Sequence, residues 1–218
     1  MPKEAIMSLQ PSKIICVGRN YAEHAKELGN AIPDRPVLFM KPPSSLATLA
    51  QGIVWNQALG ECHFECEICI QIAQPLSQET DKTKVLDAIG AVTLGLDLTL
   101  RDVQNELKSK GQPWERAKAF DGSCVLADWV AIESIADVNA LEFSFSVNGV
   151  ERQHGLSTDM IFDIATVLVD INQSFSLQAG DVIMTGTPAG VGALHSQDQL
   201  SMKLINSNHE HIWTTFCR

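Results

Sequence analysis

Acidic side chains recur at alternate positions in one short segment of the chain. In residues 61–70, positions 61, 65 and 67 are Glu and position 63 is His, while the even positions hold Cys, Phe and Ile. Because alternate residues of a β-strand share a face, a strand here would hold Glu65 and Glu67 on one side, roughly 7 Å apart. One hard cation fits between carboxylates at that separation. A strand with a solvated acidic face explains this segment equally well, although acidic residues are depleted in strands.

A second segment places a lone aspartate among small residues. In residues 91–100 the even positions hold Val or Leu, whereas the odd positions hold Ala, Thr, Gly and Asp97. This alternation predicts a strand with one apolar face and, on the other, room for a neighbouring element or a ligand. If Asp97 meets Glu65 and Glu67, three oxygen ligands leave open positions for water and substrate, which is typical of Mg²⁺ or Mn²⁺. The spacing within each strand leaves open whether the two strands meet.

Cysteines in the first segment raise the alternative of a zinc site. Cys62, Cys66 and Cys69 flank His63. Structural zinc sites use short loops that fold their ligands around the ion. On a strand, however, Cys62 and Cys66 lie roughly 13 Å apart and Cys69 points to the other face. We therefore interpret these cysteines as small core residues.

Four other side chains suit chemistry on an anion, and each also has an ordinary structural interpretation. Lys118 could face an enolate or solvent. Arg101 and Gln104 share a face at the start of a predicted helix, where free backbone N–H groups favour an anion; that face could equally be solvated. Thr187 lies in a glycine-rich turn, which either brings donors to a carboxylate or is only a tight turn.

His24 and Glu27 lie three residues apart in a predicted helix. A carboxylate beside an imidazole orients the ring and stabilises its protonated form, so the pair is a candidate general base. The competing interpretation is a surface histidine with an incidental neighbour. The sequence contains no Gly-x-Ser-x-Gly elbow and no recognisable catalytic cysteine signature, so a nucleophilic mechanism has little support.

The elements that must position these residues predict a strand-rich α+β fold. Apolar alternation and turn signals predict strands at 13–18, 61–70, 91–100, 142–148, 150–153, 182–184, 199–205 and 211–216. Helical spacing and capping signals predict helices at 20–28, with Asn20 as N-cap, at 101–110, with a capping box of Thr99 and Asp102, and at 160–171. Regular β-α-β alternation is scarce, which argues against a doubly wound sheet. The 218 residues predict one domain at 13–218 after an N-terminal extension at 1–12.

Composition narrows the classes of partner. The formal net charge is −10, which argues against a nucleic-acid surface because phosphate binding needs clustered Lys and Arg. An acidic chain that binds a small anion must neutralise it locally, with a metal ion or a few placed cations. No apolar run is long enough to cross a bilayer and no secretory signal is apparent, which predicts the cytoplasm and no membrane partner.

Five segments in register are similar to the fumarylacetoacetate hydrolase family, most closely to its short, single-domain acylpyruvase-like branch. They are 17–24 (VGRNYAEH), 63–67 (HFECE), 95–104 (GLDLTLRDVQ), 113–121 (PWERAKAFD) and 185–192 (TGTPAGVG). The similarity extends from about residue 13 to residue 216. Departures are Phe64, where many members have a second His, Cys66 and Cys69 in place of aliphatic residues, and Cys124-Val125, which lacks a common proline.

The resemblance implies a fold and a set of roles. It implies rolled, mixed β-sheets with short helices, usually assembled as a homodimer. It also implies that Glu65, Glu67 and Asp97 are the divalent-metal ligands. Lys118 would be the cation beside an enolate, and the segment with His24 and Glu27 would be a lid over bound substrate.

The predicted substrate is a small anionic 2-oxo acid, and three functions remain open. The first is Mg²⁺-dependent hydrolysis, with Mn²⁺ as the other metal, of the C–C bond of acylpyruvate-type 2,4-dioxo acids to pyruvate and a carboxylic acid. In it His24 and Glu27 activate water, Arg101, Gln104 and Thr187 bind the substrate, and the metal and Lys118 stabilise the pyruvate enolate. The second is decarboxylation or keto–enol tautomerisation of oxaloacetate at the same metal site. The third is a non-catalytic member of the family.

Overall fold

The structure is a computed structural model that describes residues 9–207 and 209–218. Residues 1–8 of the predicted extension 1–12 lie outside the described residues. The described chain forms fifteen strands and five α-helices, joined by loops and short 3₁₀ turns. No helix in this described part is long and apolar enough to cross a membrane.

The strands and helices are numbered in chain order. The strands are β1 (Ile14–Gly18), β2 (Val37–Lys41), β3 (Leu46–Thr48), β4 (Cys62–Phe64), β5 (Cys66–Ile72), β6 (Ile89–Asp97), β7 (Thr99–Leu100), β8 (Cys124–Leu126), β9 (Val130–Ala131), β10 (Leu141–Val147), β11 (Val150–Leu156), β12 (Val182–Met184), β13 (Gly192–Ala193), β14 (Gln199–Asn206) and β15 (His209–Phe216). The helices are α1 (Ala22–Glu27), α2 (Lys82–Asp87), α3 (Arg101–Ser109), α4 (Glu115–Lys118) and α5 (Ile164–Ser174).

The strands form three sheets, which confirms the strand-rich α+β fold. The largest is an eight-stranded mixed sheet in the order β2-β1-β12-β5-β6-β8-β3, with β9 also pairing with β6. Its β1–β12 and β3–β8 pairs are parallel and its other pairs are antiparallel. A four-stranded antiparallel sheet has the order β11-β10-β14-β15, and a small sheet joins β13, β4 and β7. The candidate site lies on the central strands β5 and β6 of this curled mixed sheet, next to the short helices.

The two predicted strands that carry the carboxylates each break in the structure. The predicted strand 61–70 divides at Glu65 into β4, in the small sheet, and β5, in the large sheet. The predicted strand 91–100 divides at Leu98 into β6 and β7, which belong to the same two sheets. Both strands thus leave one sheet and enter the other at the same level, where Asp97 N–H donates to the Glu65 carbonyl over 2.9 Å.

Both faces of β5 and β6 are buried, which excludes the alternative interpretation of a strand with a solvated acidic face. Every residue of β5 is buried, and in β6 only Gly90 is partly exposed. Small residues permit this close packing: a Cβ added to Gly95 would lie 2.7 Å from Cys69 Sγ and 2.8 Å from Leu126 Cδ2. The small-residue face of the second segment therefore marks the close approach of another element, as predicted.

The predicted helix boundaries need correction. Helix α1 begins at Ala22, and the side chain of Asn20 caps no N–H group of that helix. Instead it donates to the carbonyls of Phe162 and Thr185 and accepts from Phe162 N–H. The capping box at α3 is absent, because Thr99 Oγ1 donates to the Asp97 carbonyl. The predicted helix 160–171 begins only at Ile164, where the Asp163 side chain accepts from Thr166 N–H. Each correction comes from a tertiary contact or a local cap that competes with the sequence signal.

A two-residue turn, Asn148-Gly149, joins β10 to β11, the two strands predicted at 142–148 and 150–153. Asn148 and Gly149 both have positive φ, 52° and 76°. Such a two-residue connection is typical of tight hairpins, because its twist matches that of the flanking strands.

Candidate metal centre and its cavity

Three carboxylates converge where the two strands break. Glu65 lies between β4 and β5, Glu67 is the second residue of β5, and Asp97 ends β6. Carboxylate oxygens from the three residues lie within 4.8 Å of one another. The residues are 5%, 2% and 1% exposed. The described residues contain no other such cluster of potential metal ligands, and all six cysteines are buried and free, with no zinc-like grouping of Cys and His.

Three buried cations accompany these carboxylates. Lys118 Nζ donates to Glu65 Oε2 and Asp97 Oδ2, each over 2.7 Å. Arg101 Nη2 donates to Glu65 Oε1 over 2.5 Å. Lys41 Nζ lies 2.8 Å from Asp97 Oδ1, at an angle that makes an ion pair without a hydrogen bond. Glu65 and Asp97 are thus paired with buried cations, which offsets the free-energy cost of their burial.

Glu67 is the carboxylate without a cationic partner. Its Oε2 accepts a hydrogen bond from Gly186 N–H over 2.7 Å. Burial and the neighbouring Asp97 and Glu65 raise the pKa of Glu67 well above its usual range. Burial also favours the neutral form of Glu65, but the ammonium of Lys118 and the guanidinium of Arg101 outweigh it and lower the pKa of Glu65. The site therefore has one carboxylate whose charge lacks compensation.

The donor set fits a hard divalent cation. All three side chains offer carboxylate oxygens, the ligands that Mg²⁺ and Mn²⁺ prefer. Asp97 Oδ1 is buried and accepts no hydrogen bond. A divalent ion at this point would supply the positive charge that Glu67 lacks. The residues present therefore suit the metal that the sequence predicts.

Lys118, predicted as the cation beside an enolate, belongs to this cluster. Its third N–H donates to Thr99 Oγ1 over 2.6 Å, and its ammonium lies 5.3 Å from the centre of the Phe39 ring. Burial disfavours the ammonium, but Asp97 and Glu65 more than compensate, so the pKa of Lys118 is raised. All three N–H donors of Lys118 are therefore engaged by protein oxygens, those of Glu65, Asp97 and Thr99.

A cavity opens above the carboxylates. It brings together eight of the nine side chains proposed from the sequence. Those eight are His24, Glu65, Glu67, Asp97, Arg101, Gln104, Lys118 and Thr187. The ninth, Glu27, does not line the cavity but contacts His24.

Arg101 and Gln104 lie on the cavity side of α3, and they contact each other. Arg101 Nη1 donates to Gln104 Oε1 over 2.6 Å. Arg101 Nε is buried without a hydrogen-bond partner in the described residues. The guanidinium is therefore held at the metal site by Glu65 and Gln104. Their predicted contact with a substrate carboxylate stays a prediction.

His24 and Glu27 form the predicted pair. His24 Nδ1 lies 3.2 Å from Glu27 Oε2, and Glu27 Oε1 accepts from Gly190 N–H over 3.1 Å. His24 is 5% exposed and lines the cavity. The second contact ties α1 to the glycine-rich turn 185–192. Gly190 is required there, because its φ is +99° and an added Cβ would lie 1.9 Å from the Arg152 carbonyl oxygen.

Thr187 lines the cavity, but its hydroxyl is already engaged. It donates to the Cys66 carbonyl over 2.8 Å and accepts from Gln153 Nε2 over 2.7 Å. The side chain of Thr187 therefore braces β5 beside the metal ligands. A substrate contact by Thr187 stays a prediction.

Sequence reasoning missed two buried residues that support this centre. Lys41, at the end of β2, donates to the Lys118 carbonyl and to Ser123 Oγ and pairs with Asp97. Gln153, on β11, accepts from Cys66 N–H over 2.9 Å besides donating to Thr187. A lysine that ends an apolar strand before two prolines was a usable signal for Lys41. Gln153 gave none, because its neighbours Arg152 and His154 make the strand appear exposed.

Comparison with known proteins agrees with this fold. Residues 13–211 match the family described as Fumarylacetoacetate (FAA) hydrolase C-terminal. The oxaloacetate tautomerase YcgM of Escherichia coli K12 is 45% identical over 199 residues, which cover 91% of this chain and 90% of that protein.

Two crystal structures are similar over nearly the whole chain. One, from Oleispira antarctica, is provisionally assigned as a fumarylacetoacetate isomerase/hydrolase; it is 44% identical, has a TM-score of 0.92, and the match covers 97% of this chain and 95% of that one. The other is the fumarylpyruvate hydrolase of Pseudomonas aeruginosa in complex with Mn²⁺ and pyruvate. It is 26% identical, has a TM-score of 0.85, and the match covers 95% and 91% of the two chains.

Proposed function

This chain belongs to the fumarylacetoacetate hydrolase family, and from that membership we propose that it is a divalent-metal-dependent tautomerase that interconverts the enol and keto forms of oxaloacetate. The similarity to the E. coli oxaloacetate tautomerase over nine-tenths of both chains supports this choice. This similarity favours tautomerisation over acylpyruvate cleavage. Acylpyruvate cleavage was the first function predicted from the sequence, and tautomerisation was an alternative to it.

One observation carries the proposal. Three buried carboxylates, two buried cations (Arg101 and Lys118) and a histidine oriented by a carboxylate line a single cavity. Tautomerisation of a 2-oxo acid needs negative charge stabilised at the oxygen of C2 and a proton moved at C3. The carboxylate cluster serves the first need and the histidine serves the second.

Mg²⁺ or Mn²⁺ at Glu65, Glu67 and Asp97 would supply Lewis-acid stabilisation of the enolate charge. Arg101, with Gln104 beside it, would bind the carboxylate next to the 2-oxo group by charge-assisted hydrogen bonds. Lys118 would hold Glu65 and Asp97 in place through its hydrogen bonds and add positive charge near the enolate oxygen. Together these side chains would bind the carboxylate and 2-oxo group of the substrate, its head, and stabilise the enolate form.

His24 would move the proton. Because Nδ1 faces the Glu27 carboxylate, the neutral ring carries its proton on Nδ1 and leaves a lone pair on Nε2. Nε2 can then take a proton from C3 of the keto form, and the imidazolium so formed is stabilised by Glu27. The proton then passes from His24 to the C2 oxygen, which gives the enol. In the opposite direction His24 takes the enol hydroxyl proton and delivers it to C3, so one residue serves both directions.

A second candidate is hydrolysis of acylpyruvates. The similar fumarylpyruvate hydrolase that binds Mn²⁺ and pyruvate favours it. The same His24–Glu27 pair would then remove a proton from water as it attacks the distal carbonyl carbon, and the C–C bond would break to leave the pyruvate enolate. Decarboxylation of oxaloacetate leaves the same enolate without an attacking water.

Two assays on the intact protein separate these reactions. The first follows the loss of enol-oxaloacetate absorbance, with Mg²⁺ or Mn²⁺, after chelation and after return of the metal. The second measures pyruvate release from acylpyruvates and from oxaloacetate. We expect metal-dependent enol loss well above the buffer rate and slow pyruvate release. Enol loss at the buffer rate would contradict the proposal; pyruvate release from acylpyruvates would then favour hydrolysis.

Metal binding without turnover in either assay would indicate a non-catalytic family member. The homodimer and the cytoplasmic location stay predictions from the resemblance and the sequence.

A further inference from the structure

One face of helix α3 directs three polar side chains to the cavity. Arg101, Gln104 and Lys108 follow at intervals of three and four residues, and all three line the cavity. Lys110, two residues further on, lies on the exposed side and pairs with Glu106 over 2.5 Å. The same helix therefore carries one lysine neutralised at the surface and one turned towards the site.

Lys108 has no anionic partner in the described residues. Its Nζ donates to Asn30 Oδ1 over 3.2 Å, a neutral acceptor. Its pKa is lowered, first by burial and then by the positive charges of Arg19 and Arg101. Lys108 is thus a half-buried cation placed among other cations.

Arg19 is the second such cation. It lines the same cavity at the start of the loop between β1 and α1 and is half-buried. Its φ is +60°, in the left-handed region that a residue with a Cβ adopts only at a cost in free energy. Within residues 9–207 and 209–218, the structure gives Arg19 no carboxylate at ion-pair distance. A strained backbone therefore holds an unpaired guanidinium at the cavity.

The balance of charge inside the cavity shows what these cations lack. Deeper in, the three carboxylates and the three cations Lys41, Arg101 and Lys118 cancel in formal charge, although these cations pair with Glu65 and Asp97 and none pairs with Glu67. A divalent ion would therefore leave an excess of two positive charges, to which Arg19 and Lys108 add two more. A monoanionic 2-oxo acid leaves most of that excess uncompensated, whereas a dianion removes more of it.

We propose that Arg19 and Lys108 form a subsite for a second, distal carboxylate, so that the cavity selects dicarboxylic over monocarboxylic 2-oxo acids. This inference rests on the proposed function for the position of the substrate head at the metal. It adds the substrate class and two specificity-determining residues.

The test measures binding and needs no turnover. Malate and lactate are matched probes, because malate is lactate with a distal carboxylate, and both offer a 2-hydroxy acid head to the metal. Calorimetry on Mn²⁺-loaded protein gives the Kd of each probe for the wild type, Arg19→Gln and Lys108→Gln. Lys110→Gln is the matched control, and Arg19→Lys and Lys108→Arg retain the charges. Thermal unfolding checks that each variant folds.

We expect wild-type protein to prefer malate, and each Gln variant to weaken malate binding roughly 10- to 100-fold, the range for loss of one charged hydrogen bond. Lactate binding should stay within about twofold, and the charge-retaining variants should keep most of the preference. The proposal is overturned if wild-type protein does not prefer malate, if the Gln variants leave malate binding unchanged, or if malate and lactate weaken equally.

The binding result is independent of the proposed reaction. A malate preference lost in the Gln variants supports the subsite even if enol-oxaloacetate is not turned over, in which case only the proposed function fails. Conversely, metal-dependent enol turnover by wild-type protein with unchanged malate binding in the variants overturns the subsite alone.

Discussion

Two walls of one cavity differ in how their charges are held. The sheet wall consists of Glu65, Glu67 and Asp97, all at most 5% exposed, at the ends of central strands. The helix wall consists of Arg19, His24, Gln104 and Lys108, which lie on or beside the short helices α1 and α3. Two of the three sheet-wall charges are paired with buried cations, whereas neither cation of the helix wall has a carboxylate partner in the described residues.

The difference indicates a division of labour. Paired, fully buried charges on strands are held in position by packing, so they need little reorganisation during a reaction. That suits residues whose proposed role is to hold a metal ion that stabilises an enolate. Unpaired cations and a histidine on or beside short helices can still form ion pairs and hydrogen bonds with a ligand. We therefore expect sheet-wall substitutions to change metal binding and stability, and helix-wall substitutions to change turnover and choice of substrate.

The largest expected effect is from Glu67→Gln. This change removes a predicted ligand, so Mn²⁺ binding by calorimetry should be lost and turnover should fall about 10³-fold or more, the equivalent of several kcal/mol of electrostatic stabilisation. Stability of the metal-free protein should not fall. Because the pKa of Glu67 is raised in the folded state, its ionisation at neutral pH opposes folding, and Gln removes that opposition.

Glu61→Gln is the matched control for that change. Glu61 lies in the same segment, but its side chain is 63% exposed and pairs only with His63. It should retain metal binding and activity. Retained Mn²⁺ affinity in Glu67→Gln would remove the basis of the proposed chemistry.

Lys41→Met should have the next largest effect, on stability. It leaves Asp97 with Lys118 as its remaining cation, removes the donor to Ser123 Oγ, and leaves the Lys118 carbonyl with the Ser123 hydroxyl as its remaining side-chain donor. We expect the free energy of unfolding to fall by about 3 kcal/mol, the lower end for breaking a buried ion pair. Urea unfolding measures this, with the surface variant Lys110→Met expected within about 0.5 kcal/mol of wild type. A small loss for Lys41→Met would show that the sheet wall does not depend on its charges.

His24→Asn tests the helix wall. Turnover should fall about 10²-fold through loss of general-base catalysis, while Mn²⁺ affinity stays unchanged. The exposed His154, which pairs with Glu142, gives the control His154→Asn. Loss of metal binding in His24→Asn would mean that the two walls are not separable.

Thr187→Val should have the smallest effect and locates Thr187 between the walls. Loss of its hydrogen bonds to Cys66 and Gln153 should lower the free energy of unfolding by about 1 kcal/mol. If Thr187 also binds substrate, KM rises in the same variant. An unchanged KM with lower thermal stability would assign Thr187 to bracing alone.

The sheet wall was predictable from the sequence because its signal is local. Alternation with period two depends only on neighbouring residues, and it identified which side chains of 61–70 and 91–100 share a face. The breaks at Glu65 and Leu98 were not predictable. Neither position holds Gly or Pro, and the breaks follow from the transfer of each strand to a second sheet.

Other features depend on residues distant in the chain. Lys41 is buried because Asp97, Ser123 and the Lys118 carbonyl meet it there, between 56 and 82 residues away in sequence. Asn20 carries a good N-cap signal, yet carbonyls at 162 and 185 occupy its amide. No local sequence pattern indicates these distant partners. For the same reason, only the family resemblance could have indicated that Lys118 lies beside Glu65 and Asp97.

The division of one strand at Glu65 links metal occupancy to the mechanical integrity of the protein. The chain leaves the small sheet and enters the large one within the interval between two ligands, so any sliding of one sheet past the other alters the ligand separation. A bound ion that needs near-octahedral coordination would resist such sliding and stabilise the position of one sheet against the other. Amide exchange in β4 and β7 should therefore slow on metal addition more than exchange in α2, which joins the ends of β5 and β6 that lie away from the carboxylates.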